Sequence, residues 1–214
     1  MDALHLAARV NAGNGRAAKC LGTTAWHHRA TDPHSPLKTP PLQKLLASFI
    51  TDYGYMRTAR FGQAGRIGIF DATRFRPGDF LVSPTEGVFY VAAMPPLQPV
   101  LCVKAERRVT LLRTALHGTS AGIQEYGGTT AEKEQVIMTD WPASILSGRG
   151  SEHSPLRLPG ETRCAWYSIL MPFFNGVLIH TGDFVADDTA QRYVITGTEL
   201  TEMGWRLAAM RVTV

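Results

Sequence analysis

From Arg66 onward the chain alternates short β-branched and aromatic runs with breaks at Gly, Pro and Asp. That pattern predicts strands at Ile67 to Phe70, Phe80 to Ser83, Val88 to Ala93, Val100 to Lys104, Arg108 to Arg113 and Val136 to Thr139. Further strands are predicted at Ala165 to Leu170, Val177 to His180, Phe184 to Ala186, Arg192 to Gly197 and Trp205 to Val214. No long helical period separates them, so a mainly β protein of antiparallel barrel or sandwich units is expected rather than a parallel α/β sheet. The first sixty residues read differently. Asp2 to Ala8 suits a short helix, and the Pro-, Thr- and His-rich stretch from Leu21 to Pro41 reads as an extended arm or long loop. Behind Pro41, Leu42, Leu45, Leu46, Phe49 and Ile50 fall at helical spacing and predict a second helix. The expected organisation is an N-terminal arm over 1–60 and a β-rich body over 61–214. Within the body, 61–113 and 164–214 are candidate related units, joined by loop-rich 114–163.

The relation between those units rests on a repeat at an offset of about 104. GDFLVSPTEGVFYVAA begins at Gly78, and GDFVADDTAQRYVITG begins at Gly182. Each opens with Gly-Asp-Phe (Asp79, Asp183), runs out as an apolar strand, turns through polar residues, and returns with Tyr-Val, at Tyr90-Val91 and Tyr193-Val194. A β-hairpin explains this logic, with Pro84 to Gly87 and Asp187-Asp188 as turn residues. The aromatic of the returning strand then packs on the sheet. Two copies point to two related barrels or one sheet built twice; chance likeness of two hairpins is the competing explanation, because Gly-Asp is common in β proteins.

Composition narrows the class. The chain has 214 residues, 44% of them hydrophobic, which is enough for a sizeable core. No run is long and apolar enough for a membrane span, and the opening residues lack signal-peptide order, so synthesis and retention in a cytosol are expected. Cys20, Cys102 and Cys164 stand far apart with no CxxC pair, and all three are expected to be buried small hydrophobes. The net charge of +4 is uneven: Met1 to Arg113 carries 15 Lys and Arg against 7 Asp and Glu, the remainder 7 against 11. Opposed halves suit a nucleic-acid or acidic partner on one side, or a scattered solvated surface, since Arg57, Arg60, Arg66, Arg74 and Arg76 form no single run.

Candidate chemistry is thin. His27, His28, Asp32 and His34 offer four potential ligands in eight residues, but adjacent strand residues point to opposite sides, and solvated or interface histidines are the simpler account. Asp187-Asp188 and Glu199 with Glu202 suit exposed turns better than acid–base or calcium work. Ser120 and Ser144 lack an adjacent base, and Gly127-Gly128-Thr129-Thr130 lacks the full phosphate-loop pattern. Aromatic and basic residues interleave from Arg57 to Arg76, which a strand with exposed Arg explains more simply than specific base stacking. No catalytic residue, cofactor or metal is therefore assigned, and a non-enzymatic role is expected.

Four segments, in this order, resemble a group of tailed-bacteriophage virion proteins encoded among head and tail morphogenesis genes. They are RPGDFLVSPTEGVFYVAAMPPLQPVLCVKAERRVTL, YGGTT followed by TDWPASIL, LPGETRCAWYSILMP, and GDFVADDTAQRYVITGTELTEMGWRLAAM. The last is also similar to the barrel hairpin of head-completion or stopper proteins, at Gly182, Asp183, Asp187, Asp188, Arg192, Tyr193 and Val194. It departs where a turn Gly would follow the two Asp residues, since Thr189-Ala190-Gln191 stands there and leaves the turn type open. The resemblance implies a structural neck protein of stopper or gateway type, located at the head–tail interface. It further implies a homo-oligomeric ring of six or twelve copies between portal or adaptor and tail tube, in passive contact with genomic DNA. A minor tail or baseplate protein is the alternative, and a metal-dependent hydrolase using His27, His28 and His34 the remote one.

Overall fold

The computed structural model describes residues 3–52, 62–114, 134–148 and 165–212. Most of the two polar excursions at 114–135 and 147–162 lies outside these, as do Arg57, Arg60, Ser120, the Gly127 to Thr130 stretch and Cys164. Among the described residues no helix is long and apolar enough to cross a membrane.

One helix, α1 (Ala3–Leu21), replaces the short one expected at Asp2 to Ala8. It runs through Gly13 and Gly15 despite their helix cost. Gly15 lies against Asp71, where an added Cβ would come within 3.1 Å of the Asp71 Cβ. The helix ends at Gly22, whose N–H closes on the Ala18 carbonyl at 2.8 Å. A Cβ at Gly22 would stand 2.6 Å from that carbonyl oxygen and 2.8 Å from the Ala47 backbone, so only glycine lets the helix end press onto the sheet.

The expected extended arm contains β1 (Thr23–His28), and the expected second helix is β2 (Gln43–Ile50). Period 2 beats period 3.6 there because β2 pairs on both sides: Ala47 and its neighbours Leu45 and Phe49 join the barrel core, whereas Leu42 and Leu46 are left exposed. The first barrel therefore starts at Thr23 rather than near residue 61. It is completed by β3 (Gly65–Ile69), β4 (Phe80–Ser83), β5 (Gly87–Ala93) and β6 (Val100–Ala105). The antiparallel strands close in the order β1-β2-β3-β6-β5-β4.

After Glu106 the same plan is built again from β7 (Arg107–Thr114), β8 (Glu134–Ser147), β9 (Trp166–Met171), β10 (Phe184–Asp187), β11 (Arg192–Thr201) and β12 (Gly204–Val212). This second barrel closes in the order β7-β8-β9-β12-β11-β10. Each strand of the first barrel thus has its counterpart six strands later, in the same place and with the same partners. The duplication spans two whole barrels, of which the repeated hairpin is one part. Val177 to His180, expected as a strand, is instead an irregular segment whose buried Ile179 belongs to the second core, as Phe75 belongs to the first.

Alternation sorts the side chains. Ala25, Leu81, Phe89, Val91, Val100 and Cys102 fill the first barrel. The opposite face of the same strands carries Phe80, Tyr90, Val103 and Ala105, which are buried in one cluster with second-barrel residues. Phe80 meets Trp141 edge-on at 5.8 Å, and Trp141 meets Phe174 at 5.3 Å. The β1–β2 connection also reaches across, with the Thr139 N–H donating to the Pro33 carbonyl at 3.1 Å.

Candidate functional site: a duplicated arginine–aspartate clasp

Both Gly-Asp pairs close a tight turn in front of the fourth strand of their barrel. The Asp79 N–H donates to the Arg76 carbonyl at 3.1 Å, with Pro77 and Gly78 between them. Gly78 has φ 90°, so proline followed by a left-handed glycine makes a type II turn. Asp183, His180 and Gly182 repeat it at 3.1 Å and φ 92°. Each glycine N–H then donates 2.8 Å to the returning strand, at the Val91 and Ile195 carbonyls.

The carboxylates sit buried at this turn and are met from the end of the barrel's first strand by an arginine. Arg29 donates from Nε to Asp79 Oδ1 and from Nη2 to Oδ2, both at 2.7 Å, and its Nη2 also donates to the Arg74 carbonyl at 3.1 Å. Arg113 does the same to Asp183 at 2.8 Å and 2.8 Å, and to the Leu178 carbonyl at 2.7 Å. The N–H of Arg76 completes one site at 2.9 Å and that of His180 the other at 2.8 Å. The bidentate fork fixes direction as well as distance. Burial alone would raise the Asp79 pKa, but donors from Arg29, His27 and Arg76 outweigh it and hold the carboxyl below its usual range.

The copies differ at one buried place. His27 lies inside the first barrel, stacked on Phe75 at 3.9 Å, with Nε2 2.8 Å from Asp79 Oδ2. Its other ring nitrogen, Nδ1, is buried with no hydrogen-bond partner among the described residues. The register puts Leu111 at this position in the second barrel: His27 pairs with Leu81 and Leu111 with Val185.

Pairing also corrects the alignment of the hairpins. Phe80 pairs with Tyr90 and Phe184 with Val194, so the counterpart of Tyr90 is Val194, and that of Tyr193 is Phe89. Tyr90 points outward to the barrel–barrel contact, whereas Tyr193 points inward. The acidic turn is organised by Asp187, whose Oδ1 accepts from Thr189 N at 2.9 Å, Thr189 Oγ1 at 2.7 Å and Gln191 N at 2.9 Å. Its Oδ2 accepts from the Tyr193 hydroxyl at 3.2 Å. Burial and this carboxylate push the Tyr193 pKa up to about 12. The turn glycine that is missing from the sequence is replaced by Ala190, held at φ 61°. Asp188 faces Arg107 at 3.6 Å, and Arg192 binds Glu134 while its guanidinium lies 4.4 Å over the Phe184 ring.

The histidine cluster is dispersed. His27 points into the barrel; His28, on the other side of the strand, bonds the Thr39 carbonyl; Asp32 accepts the His34 N–H; and the His34 ring reaches Thr139. No group of three metal-ligating side chains occurs among the described residues, so the hydrolase reading loses its proposed ligand set. Cys102 is buried as expected, but Cys20 lies exposed on α1. Glu199 pairs with Arg206 across β11 and β12 at 3.7 Å. A cleft of about 520 Å³ lies where Pro84 to Val88 face Arg107, Arg108 and Asp188, and it mixes both signs of charge. Sequence reasoning missed Arg29, Arg113 and His27 as partners of the repeated Asp residues. No distinctive pattern marks them, since AWHHR and TLLR share only an arginine at the end of a strand. Comparison with protein-family models, curated proteins and solved structures finds no match for this chain.

Proposed function

We propose that this protein is a structural component of a tailed-phage virion, a ring-forming head-to-tail connector of stopper or gateway type that joins portal or adaptor to tail. The observation that carries the reading is the duplicated barrel and its duplicated clasp. Buried Asp79 and Asp183, with Asp187 at the hairpin turn, are engaged by arginines, backbone N–H groups or a turn threonine, an arrangement that fixes shape. A rigid pair of barrels is a suitable building block for a ring wall, and the ordered resemblance over the Gly78 and Gly182 segments supports the phage assignment. In this reading six or twelve copies surround a channel through which DNA passes, and the protein resides at the neck after synthesis in the bacterial cytoplasm.

Cryo-electron microscopy of intact virions, with antibody labelling of this chain, tests the reading. Density for the two barrels in a ring between portal and tail tube is the expected result. Placement at the tail tip would favour the minor tail or baseplate role, and absence from the particle would overturn both.

A further inference from the structure

The duplication gives the second barrel a copy of the face by which the first barrel docks. In the first barrel Phe80, Val88, Tyr90, Leu101, Val103 and Ala105 face outward from β4, β5 and β6 and pack into the cluster shared with the second barrel, while Val82, also outward, lies outside it. Strand β6 runs beside β8 at this contact. Strand register gives the counterparts in the second barrel as Phe184, Arg192, Val194, Ala208, Met210 and Val212. These are apolar apart from Arg192, only half-buried, and members of neither hydrophobic cluster. Among the described residues the Arg192 guanidinium lies over Phe184 on this face and binds the buried carboxylate of Glu134. Conversely, the first-barrel counterpart of β8 is β2, since Ala47 and Ser48 stand where Ala143 and Ser144 stand. Beside and on β2, Leu42 is 54% and Leu46 38% exposed.

We infer that the Phe184–Val194–Met210–Val212 face is the docking surface for a second copy of this chain, which meets it through β2 around Leu42 and Leu46. Helix α1 packs on β2 and β3, so the contact uses the part of β2 that α1 leaves open, at Leu42 and Leu46, and brings together between chains two surfaces related by the duplication to those that meet within one. It joins two different surfaces, so it is head-to-tail and repeats until a ring closes or a filament grows. The inference deepens the proposed ring and rests on that reading only for closure.

Sedimentation velocity of the full chain tests it. The wild type should self-associate, and Val194→Glu with Met210→Glu should weaken association by at least about thirtyfold while the thermal midpoint stays near wild type. Because those positions face outward, folding should persist; the milder Val194→Thr with Met210→Gln pair decides the matter if the charged pair does not fold. Leu46→Glu should also give monomers, and mixing the two monomeric variants should yield a 1:1 heterodimer, each supplying the intact surface the other lacks. A monomeric wild type, association untouched by either face variant, or no heterodimer on mixing would overturn the docking face. Imaging of the neck in virions is independent of these outcomes and decides the functional reading by itself.

Discussion

Replacing Asp79 by Asn should destabilise the protein more than replacing Asp183 by Asn, although the two turns are nearly superimposable in their bonding. Asp79 accepts side-chain donors from Arg29 and His27 and a backbone donor from Arg76; Asp183 has the equivalents without the histidine. Hydrogen bonds to a charged group contribute about 1.5–3 kcal/mol, and breaking a fully buried pair costs about 3–5 kcal/mol. The arginine side chains are each 32% exposed against 3% and 4% for their aspartates, so solvent screening lowers the arginine share. The expected losses are about 3 kcal/mol for Asp79→Asn and about 2 kcal/mol for Asp183→Asn. Urea unfolding at neutral pH measures both. Trp26 reports on the first barrel, Trp166 and Trp205 on the second and Trp141 on the contact between them, so in Asp79→Asn the part of the fluorescence change that comes from Trp166 and Trp205 should lag behind circular dichroism. The pH dependence supplies a sign. Because the Asp79 pKa is lowered in the folded state, its contribution is complete above the unfolded carboxyl value of about 4 and disappears as pH falls through the native one. The gap between wild type and Asp79→Asn should be fully present above about pH 5 and close as pH falls below about 4, the ordinary carboxyl value. Both variants lying within about 0.5 kcal/mol of wild type, or Asp183→Asn proving the costlier, would refute the clasp as a principal tie of each barrel.

Two further substitutions probe the places where the copies differ. His27→Leu installs the residue found at the matching position, Leu111; it loses one bond to Asp79 but also a buried unpartnered nitrogen, so urea unfolding should shift by less than about 1 kcal/mol. Ala190→Gly relieves a left-handed φ of 61° and should raise stability by roughly 0.5–1 kcal/mol, read as a higher thermal midpoint.

The β class and the Gly78 and Gly182 turns were legible because their signals are local: alternation, a turn glycine, an aspartate. The first two strands were hidden by competing signals. In PLQKLLASFI the leucines fit a helix as well as a strand, and pairing with β1 and β3 decides it. In the helix preceding them, two glycines and two asparagines concealed a continuous element that is shaped to lie on Asp71 and Ala47. The full duplication was hidden by drift. Arg29 matches Arg113, Ala47 matches Ala143, Asp79 matches Asp183 and Val103 matches Met210, and the separation grows from each pair to the next. A single offset therefore catches β4, β5 and the turn before them, and nothing else. The clasp was beyond reach for the same reason, since its two members belong to segments with different offsets.

Duplication also explains why strands of the first barrel read as nearly unbroken apolar runs. A barrel strand with one face to solvent should alternate, and β11 does so through Arg192, Thr196 and Thr198. In FLV, VFYVAA and VLCV both faces are apolar, because one side lines the barrel and the other is covered by the second barrel. Where register sets Val88 in the first copy it sets Arg192 in the second, and Val82 is matched by Ala186. The second face has thus kept its large apolar side chains, Phe184, Val194 and Met210, while gaining a charged one. That charge is paired within the chain, because Arg192 binds the buried carboxylate of Glu134. Under the docking inferred above, this ion pair would be carried into the contact between copies, a polar element that the matching intrachain contact lacks at Val88.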